Sequence, residues 1–492
     1  MKQLFLTFSL IFIALSSCAN PETDASKGGK SPKYVFYFIS DGTGLNIVQA
    51  AEHYRADIKG YTKIGLNNEV CAYANEPFLF SQFPVVGMAT TYSASSRVTD
   101  SAASGTALAT GHKTTNGFIG VLPDKTTPIY SIAKYAKDLG MAVGVATSVT
   151  INHATPAAFF GHYPDRNKYH DLGHQLVDCD YVDFFGGAAI GHHYDEKCDC
   201  KSDLYDLAEK KDFAVCRGVA EYDKRAKNAK KMILIQNAEF GENINYAMDR
   251  KPGELTIEQV LEKEIDFLMK KNNGKGFFLM NEIGGRVDWA DHSDDAGGAF
   301  AELEAVNRCM EIAYAFYKKH PNETLIVMTA DHDTGGPNLG IGKYEMNLKA
   351  LQSQKITKDS YTDYLAKLRK DNNNRVTWEQ IEQSLKDLWG LGSVHQLTMK
   401  QKAELMTVYE ETFGEGSRQV MERSLYKSNE RLATVACQML GQIAQIGYAH
   451  GAHTADYVPV YAIGVGADEF KGMNDNAEIP QKIAKLIGTS LK

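Results

Sequence analysis

Ser101 stands in the run Arg97-Val-Thr-Asp-Ser-Ala-Ala-Ser-Gly-Thr-Ala107, where a polar turn gives way to small residues suited to a close-packed helix start. At a helix N-terminus, free N–H groups and the positive end of the dipole favour a bound phosphate or other oxyanion. The same stretch also reads as a plain Asp/Ser cap without chemistry. Asp288 and His292 are four apart, so on a helix or tight turn both face one way and can share a metal. A solvated helix start is the other reading of that pair. Asp331 and His332 follow an apolar run and can turn toward one ion. In His450-Gly-Ala-His453 one histidine can complete such a site, although both also suit a solvated loop. Together with Asp41, the set Asp41, Asp288, His292, Asp331, His332 and His453 offers three carboxylates and three imidazoles. That donor set suits two zinc ions without any cysteine. Two metals close together clamp the attacking and leaving oxygens of phosphoryl transfer.

Such residues need a common edge. The continuous apolar run from Tyr34 to Ser40 predicts a strand buried on both faces, ending at Asp41-Gly-Thr-Gly44. Similar runs at 141–149, 276–280, 324–329 and 458–465 predict further strands, separated by helical patterns at 128–139, 257–271, 296–319 and 480–487. This alternation predicts an α/β fold: a doubly wound, mostly parallel central sheet flanked by helices. Asp41, His153, Glu282 and Asp331 each follow a predicted strand, at the edge where open α/β sheets bind ligands. Residues 341–440 differ. They are charged and helix-rich, with capping-box candidates at Thr377–Gln380 and Thr398–Gln401. They predict a helical insertion over the sheet edge, with no strand and no chemical cluster. The core is then 33–340 and 441–492. Asp371-Asn-Asn-Asn374 is not a calcium loop, since Val376 stands where glycine is needed.

With 492 residues, 43% hydrophobic, the chain can bury a large core. A net charge of -8 leaves no basic face for nucleic acid. Lys2, a short apolar stretch from Leu4 to Leu15, and Leu15-Ser-Ser-Cys18 predict a bacterial lipoprotein signal over residues 1–17, with lipid on the Cys18 sulfur. An ordinary signal peptide is the alternative, and either reading exports the protein to the cell envelope, periplasm or surface. Residues 18–32 then form a flexible tether, and lipid is the sole membrane link. Among the eight cysteines, Cys179, Cys198, Cys200 and Cys216 cluster in sequence. An oxidising compartment favours disulfides among them over a structural metal, with connectivity open.

With these motifs in this order, the chain resembles the alkaline phosphatases over nearly all of residues 34–340 and 441–490. The resemblance implies a phosphomonoester hydrolase with a phosphoserine intermediate, two zinc ions and one magnesium ion. Ser101 matches the nucleophile, and Ala109-Thr-Gly-His-Lys-Thr-Thr-Asn-Gly117 continues its motif. Arg166, in His162-Tyr-Pro-Asp-Arg, matches the arginine that clamps phosphate, with Asp100 expected to orient it. Asp288, His292 and His453 match one zinc site; Asp331 and His332, with Asp41, match the other. Thr155, in Asn152-His-Ala-Thr-Pro156, matches a magnesium ligand shared with Asp41. His153 and Trp289 resemble a bacterial subset, with His153 behind the magnesium. Glu282 is the remaining magnesium ligand, but Asn281-Glu-Ile-Gly-Gly-Arg-Val-Asp288 places it six residues before Asp288, one more than the family pattern. A bulge between Glu282 and Gly285 is expected to absorb the extra residue. The sulfatase reading fails, because Ser101 is followed by Ala-Ala-Ser. A diesterase, or a surface protein with a decayed core, is the remaining competitor. The resemblance also allows a homodimer.

Overall fold

The computed structural model describes residues 31–60, 63–64, 70–71, 75–195, 202–342 and 344–492. The expected signal, Cys18, most of the tether, Cys198 and Cys200 lie outside the described residues.

Ten strands form the central sheet. In chain order they are β1 (Tyr34–Ile39), β2 (Val85–Thr90), β3 (Ala142–Thr147), β4 (Phe184–Gly186), β5 (Phe213–Arg217), β6 (Lys231–Ile235), β7 (Phe277–Glu282), β8 (Thr324–Thr329), β9 (Val458–Gly464) and β10 (Gly472–Asp475). Their order across the sheet is β10-β2-β9-β8-β1-β7-β3-β4-β6-β5. Only β9 runs against the others. The sheet is therefore mostly parallel, as the alternation of patterns predicts. The five apolar runs become β1, β3, β7, β8 and β9.

β1 shows why the sheet needs helices on both sides. Tyr34, Phe36 and Phe38 enter one hydrophobic core, and Val35, Tyr37 and Ile39 enter the other. Burying each large side chain contributes roughly 1.5–3 kcal/mol. The first core is covered by helices Leu45–Lys59, Ile257–Lys271, Ala296–Lys319 and Arg431–Ala444. The second is covered by helices Ser101–Thr110, Ile132–Asp138, Tyr169–Asp178 and Glu478–Ile487.

This layering corrects the disulfide expectation for two of the four cysteines. Cys179 and Cys216 are both free and buried. Cys179 lies in the core on one face of the sheet and Cys216 in the core on the other, so the sheet separates them.

Between residues 341 and 440, helices Lys358–Asp371, Trp378–Leu388 and Met399–Phe413 precede Arg431–Ala444. The expected capping boxes form at Thr377/Gln380 and Thr398/Gln401. The region does contain strands, contrary to expectation: Met421–Arg423 pairs antiparallel with Ser428–Glu430. Three-residue strands leave too little alternation to be read from sequence. No helix among the described residues is long and apolar enough to cross a membrane.

Candidate active site

The register of the central strands sets the floor of the site. Ile39 of β1 pairs with Thr329 of β8 on one side and with Glu282 of β7 on the other, and Glu282 pairs with Thr147 of β3. Four strands thus end in one row, and Asp41, Glu282 and Asp331 leave it at neighbouring points. Gly42 makes the first turn possible. Its φ of +72° is left-handed, and a Cβ there would fall 2.6 Å from the Asp288 Cα. Its N–H donates to Asp331 Oδ1 at 3.2 Å.

Glu282 does reach this edge, though without the expected bulge. The ladder stays in register through Glu282, and the Ile283 N–H still donates to the Ile39 carbonyl. The chain turns at Gly284, packed so tightly that a Cβ would lie 2.4 Å from Ser40 Oγ and 2.7 Å from the Asp41 nitrogen. Helix Gly285–His292 begins immediately afterwards. The extra residue is taken up between strand and helix, so the Glu282 side chain is not turned over. Its carboxylate accepts from the Thr147 hydroxyl. Thr155, from the short helix Ala154–Ala157, donates to Asp41 Oδ2 at 3.3 Å.

Helix Gly285–His292 aligns Asp288 and His292 one turn apart, with His292 Nε2 3.3 Å from Asp288 Oδ1. His453 arrives through a single bridge to Thr334, and its Nε2 lies 3.1 Å from His292 Nε2. The Nδ1 atoms of these two rings sit 2.9 Å from carbonyl oxygens, that of His292 from Gly451 and that of His453 from Thr99. A carbonyl only accepts, so each Nδ1 carries a proton and Nε2 is the nitrogen turned inward. Burial, then the charge of His332, pushes His453 down to about 3, so it is neutral. Two imidazole nitrogens therefore face each other beside a carboxylate, an arrangement that suits a bound cation.

The second group is alike. His332 Nε2 lies 3.1 Å from Asp331 Oδ2 and 3.4 Å from Asp41 Oδ1. Asp331 Oδ1 is held by the N–H groups of Gly42 and His332, which leaves Oδ2 free of hydrogen bonds. Asp41 Oδ1, Glu282 Oε1, Asp288 Oδ2 and His153 Nδ1 are likewise buried without hydrogen-bond partners. Burial, then repulsion by Asp331, Asp288 and Glu282, raises the Asp41 carboxyl well above its usual range. Burial lifts Glu282 to about 7. Three ligand groups lie within 4.8 Å of internal separation: Asp288/His332/His453, Asp41/Asp331/His332 and Asp41/His153/Glu282. Buried, orphaned and mutually repelling donors of this kind fit divalent cations.

Ser101 opens helix Ser101–Thr110, and Asp100 is its N-cap. Ser101 Oγ lies 3.2 Å from His332 Nε2. Asp100 Oδ1 accepts from the N–H groups of Ala103 and Gly117, and its Oδ2 accepts from Arg166 Nη1 at 3.1 Å. Arg166 Nη2 lies 3.5 Å from His153 Nε2. Asp41, Asp100, Ser101, His153, Thr155, Arg166, Glu282, Asp288, His292, Asp331, His332 and His453 are thus near one another at this edge. Three others were missed. Thr334 donates to Asp288 Oδ1 at 2.5 Å and Thr147 holds Glu282. Tyr426, from the region expected to hold no chemistry, meets the rings of His153, Trp289 and His292. Nothing in the local pattern of Tyr426 signals that reach.

A buried serine at a helix start, ringed by carboxylate–imidazole groups at the end of a parallel sheet, defines a metal-dependent hydrolase of the doubly wound α/β class. Residues 32–180 and 223–489 match the family model described as Alkaline phosphatase. Alkaline phosphatase 3 of Bacillus subtilis (strain 168) is 28% identical over 509 residues, covering 98% of this chain and 96% of that protein. The alkaline phosphatase of Schizosaccharomyces pombe is 28% identical over 487 residues, covering 95% of this chain and 83% of its own length. The crystal structure of a cold-active alkaline phosphatase from a psychrophilic Shewanella species superposes with a TM-score of 0.73 at 26% identity, over 93% of this chain and all of that one. The chain belongs to the alkaline phosphatase family and is a metal-dependent phosphomonoesterase.

Proposed function

We propose that the chain releases inorganic phosphate from phosphate monoesters through a phosphoserine formed at Ser101. The observation that carries this reading is the position of Ser101 Oγ, buried at a helix N-terminus between the carboxylate–imidazole groups and an Arg166 held by Asp100. Asp288, His292 and His453 would hold one zinc ion, and Asp41, Asp331 and His332 a second. Asp41, Thr155 and Glu282 would hold magnesium, with His153 beside them. When bound, these ions supply Lewis acidity, neutralising phosphoryl charge and lowering the pKa of hydroxyl and water.

The chain's own residues supply the rest. Arg166 presents a planar fork that pairs with two nonbridging oxygens. Asp100 fixes that fork through Oδ2, while its Oδ1 is tied to the N–H groups of Ala103 and Gly117. The deprotonated Ser101 oxygen attacks phosphorus in line, and the bond to the ester oxygen breaks. Water then attacks the phosphoserine, and phosphate leaves with Ser101 restored. The dipole of helix Ser101–Thr110 favours the phosphate dianion throughout.

The test is Ser101→Ala, assayed on p-nitrophenyl phosphate with zinc and magnesium. We expect a loss of about a thousandfold or more. Near-wild-type turnover would remove Ser101 from this role. Leu15-Ser-Ser-Cys18 supports export with lipid on Cys18. Charge and capping patterns support 341–440 as an insertion in a core of 33–340 and 441–492.

A further inference from the structure

Tyr426 lies between the two short strands Met421–Arg423 and Ser428–Glu430, in the turn of their hairpin. Its ring stacks on Trp289, with centroids 4.6 Å apart and planes at 16°. It meets His292 edge-on at 5.2 Å and His153 at 5.8 Å. Trp289 is backed on its own account by the Arg286 guanidinium, 4.1 Å from the ring. Arg286 in turn is buried and bonded to the Ile244 carbonyl. The stack Arg286–Trp289–Tyr426 thus fixes the tyrosine ring from behind.

The ring is half-buried, but its hydroxyl oxygen is fully buried and has no hydrogen-bond partner. An orphaned buried hydroxyl is costly, so its position calls for an absent acceptor. The ring meets that of His153, whose Nε2 lies 3.5 Å from Arg166 Nη2, and that of His292 of the opposite group. Arg166 carries donors alone and cannot accept from a phenol. A phosphoryl group has three nonbridging oxygens, and the Arg166 fork takes two. A neutral donor beside the fork fits what remains.

We propose that Tyr426 is a further substrate-binding residue, whose hydroxyl donates a hydrogen bond to the phosphoryl group held at Ser101 and Arg166. The hairpin would then complete the phosphate site from outside the sheet. This rests on the reading of Ser101 and Arg166 as the phosphate site.

The test is Tyr426→Phe, which keeps the ring and its stack and removes only the donor. The metal-loaded protein is assayed on p-nitrophenyl phosphate, with inorganic phosphate affinity measured as competitive inhibition and by calorimetry. Zinc content and melting temperature are measured in parallel. We expect phosphate affinity and kcat/KM each to fall about tenfold or more, with metal content unchanged and the melting temperature no lower than that of the wild type. Phosphate affinity within about twofold of wild type would overturn the proposal, whatever happens to kcat. A fall that tracks lost zinc would overturn it too. Should the wild type bind phosphate but hydrolyse nothing, the function proposed above fails, while the calorimetric difference still decides the case of Tyr426.

Discussion

Asp331 shows how completely a carboxylate is oriented by its neighbours. Two backbone N–H groups occupy its Oδ1, which leaves Oδ2 as the one atom aimed at His332. Gly42 supplies one of those N–H groups from a left-handed turn pressed against Asp288. Gly42→Ala therefore meets both backbone strain and a clash, a strain of about 1–3 kcal/mol before any repacking. We expect a lower melting temperature and reduced zinc content by metal analysis; an unchanged metal content would contradict this account of the turn. Glu282 carries a second prediction. Glu282→Gln removes a charged oxygen from the group with Asp41 and should shift magnesium activation to higher concentration. Identical magnesium titrations would place Glu282 outside the ion's reach. Much at this scale was legible, because Asp288 and His292 repeat at a helical interval and Asp41 and Asp331 end apolar runs. The choice of His453 over His450 was not, since both precede the same strand. Tyr426 was invisible, because its partners at 153, 289 and 292 are distant in sequence and nothing local marks the contact.

At the scale of elements, long strands buried on both faces announce themselves, and strands that are short or buried on one face do not. β1 and β8 are continuous apolar runs flanked by other strands. β2 alternates buried and exposed residues, and β4 has three residues, so neither stands out from its surroundings. The Glu282 spacing was legible as an anomaly, but its resolution was not. That depended on how closely Gly284 packs against Ser40 and Asp41, a contact between chain segments. Helix Ile257–Lys271 holds another unforeseen feature, Glu264, buried against β3 and β7 with Asn281 Nδ2 donating to it at 2.9 Å. Burial raises its carboxyl well above 4.5. Folding therefore favours the protonated form, and the penalty grows as pH rises above the unfolded value and levels off above the folded one. Glu264→Gln retains a carbonyl acceptor and escapes the penalty. Its melting temperature relative to wild type should be higher at about pH 9 than at about pH 5. A difference independent of pH would show that Glu264 does not ionise in this range.

At the scale of the whole molecule, ten strands and two cores bring to one edge carboxylates that would otherwise repel one another. Cations that bind the folded chain and not the unfolded one stabilise it by mass action. Removing metal with a chelator should abolish activity and lower the melting temperature, and zinc with magnesium should restore both. Unchanged melting on chelation would mean the carboxylate cluster does not depend on metal for its stability. The most direct measurement of the central claim is phosphopeptide mapping after rapid acid quench of turnover on a phosphate monoester. One phosphate on the peptide containing Ser101 is the predicted result. Steady turnover with no phosphate on Ser101, or with phosphate on another residue, would contradict it.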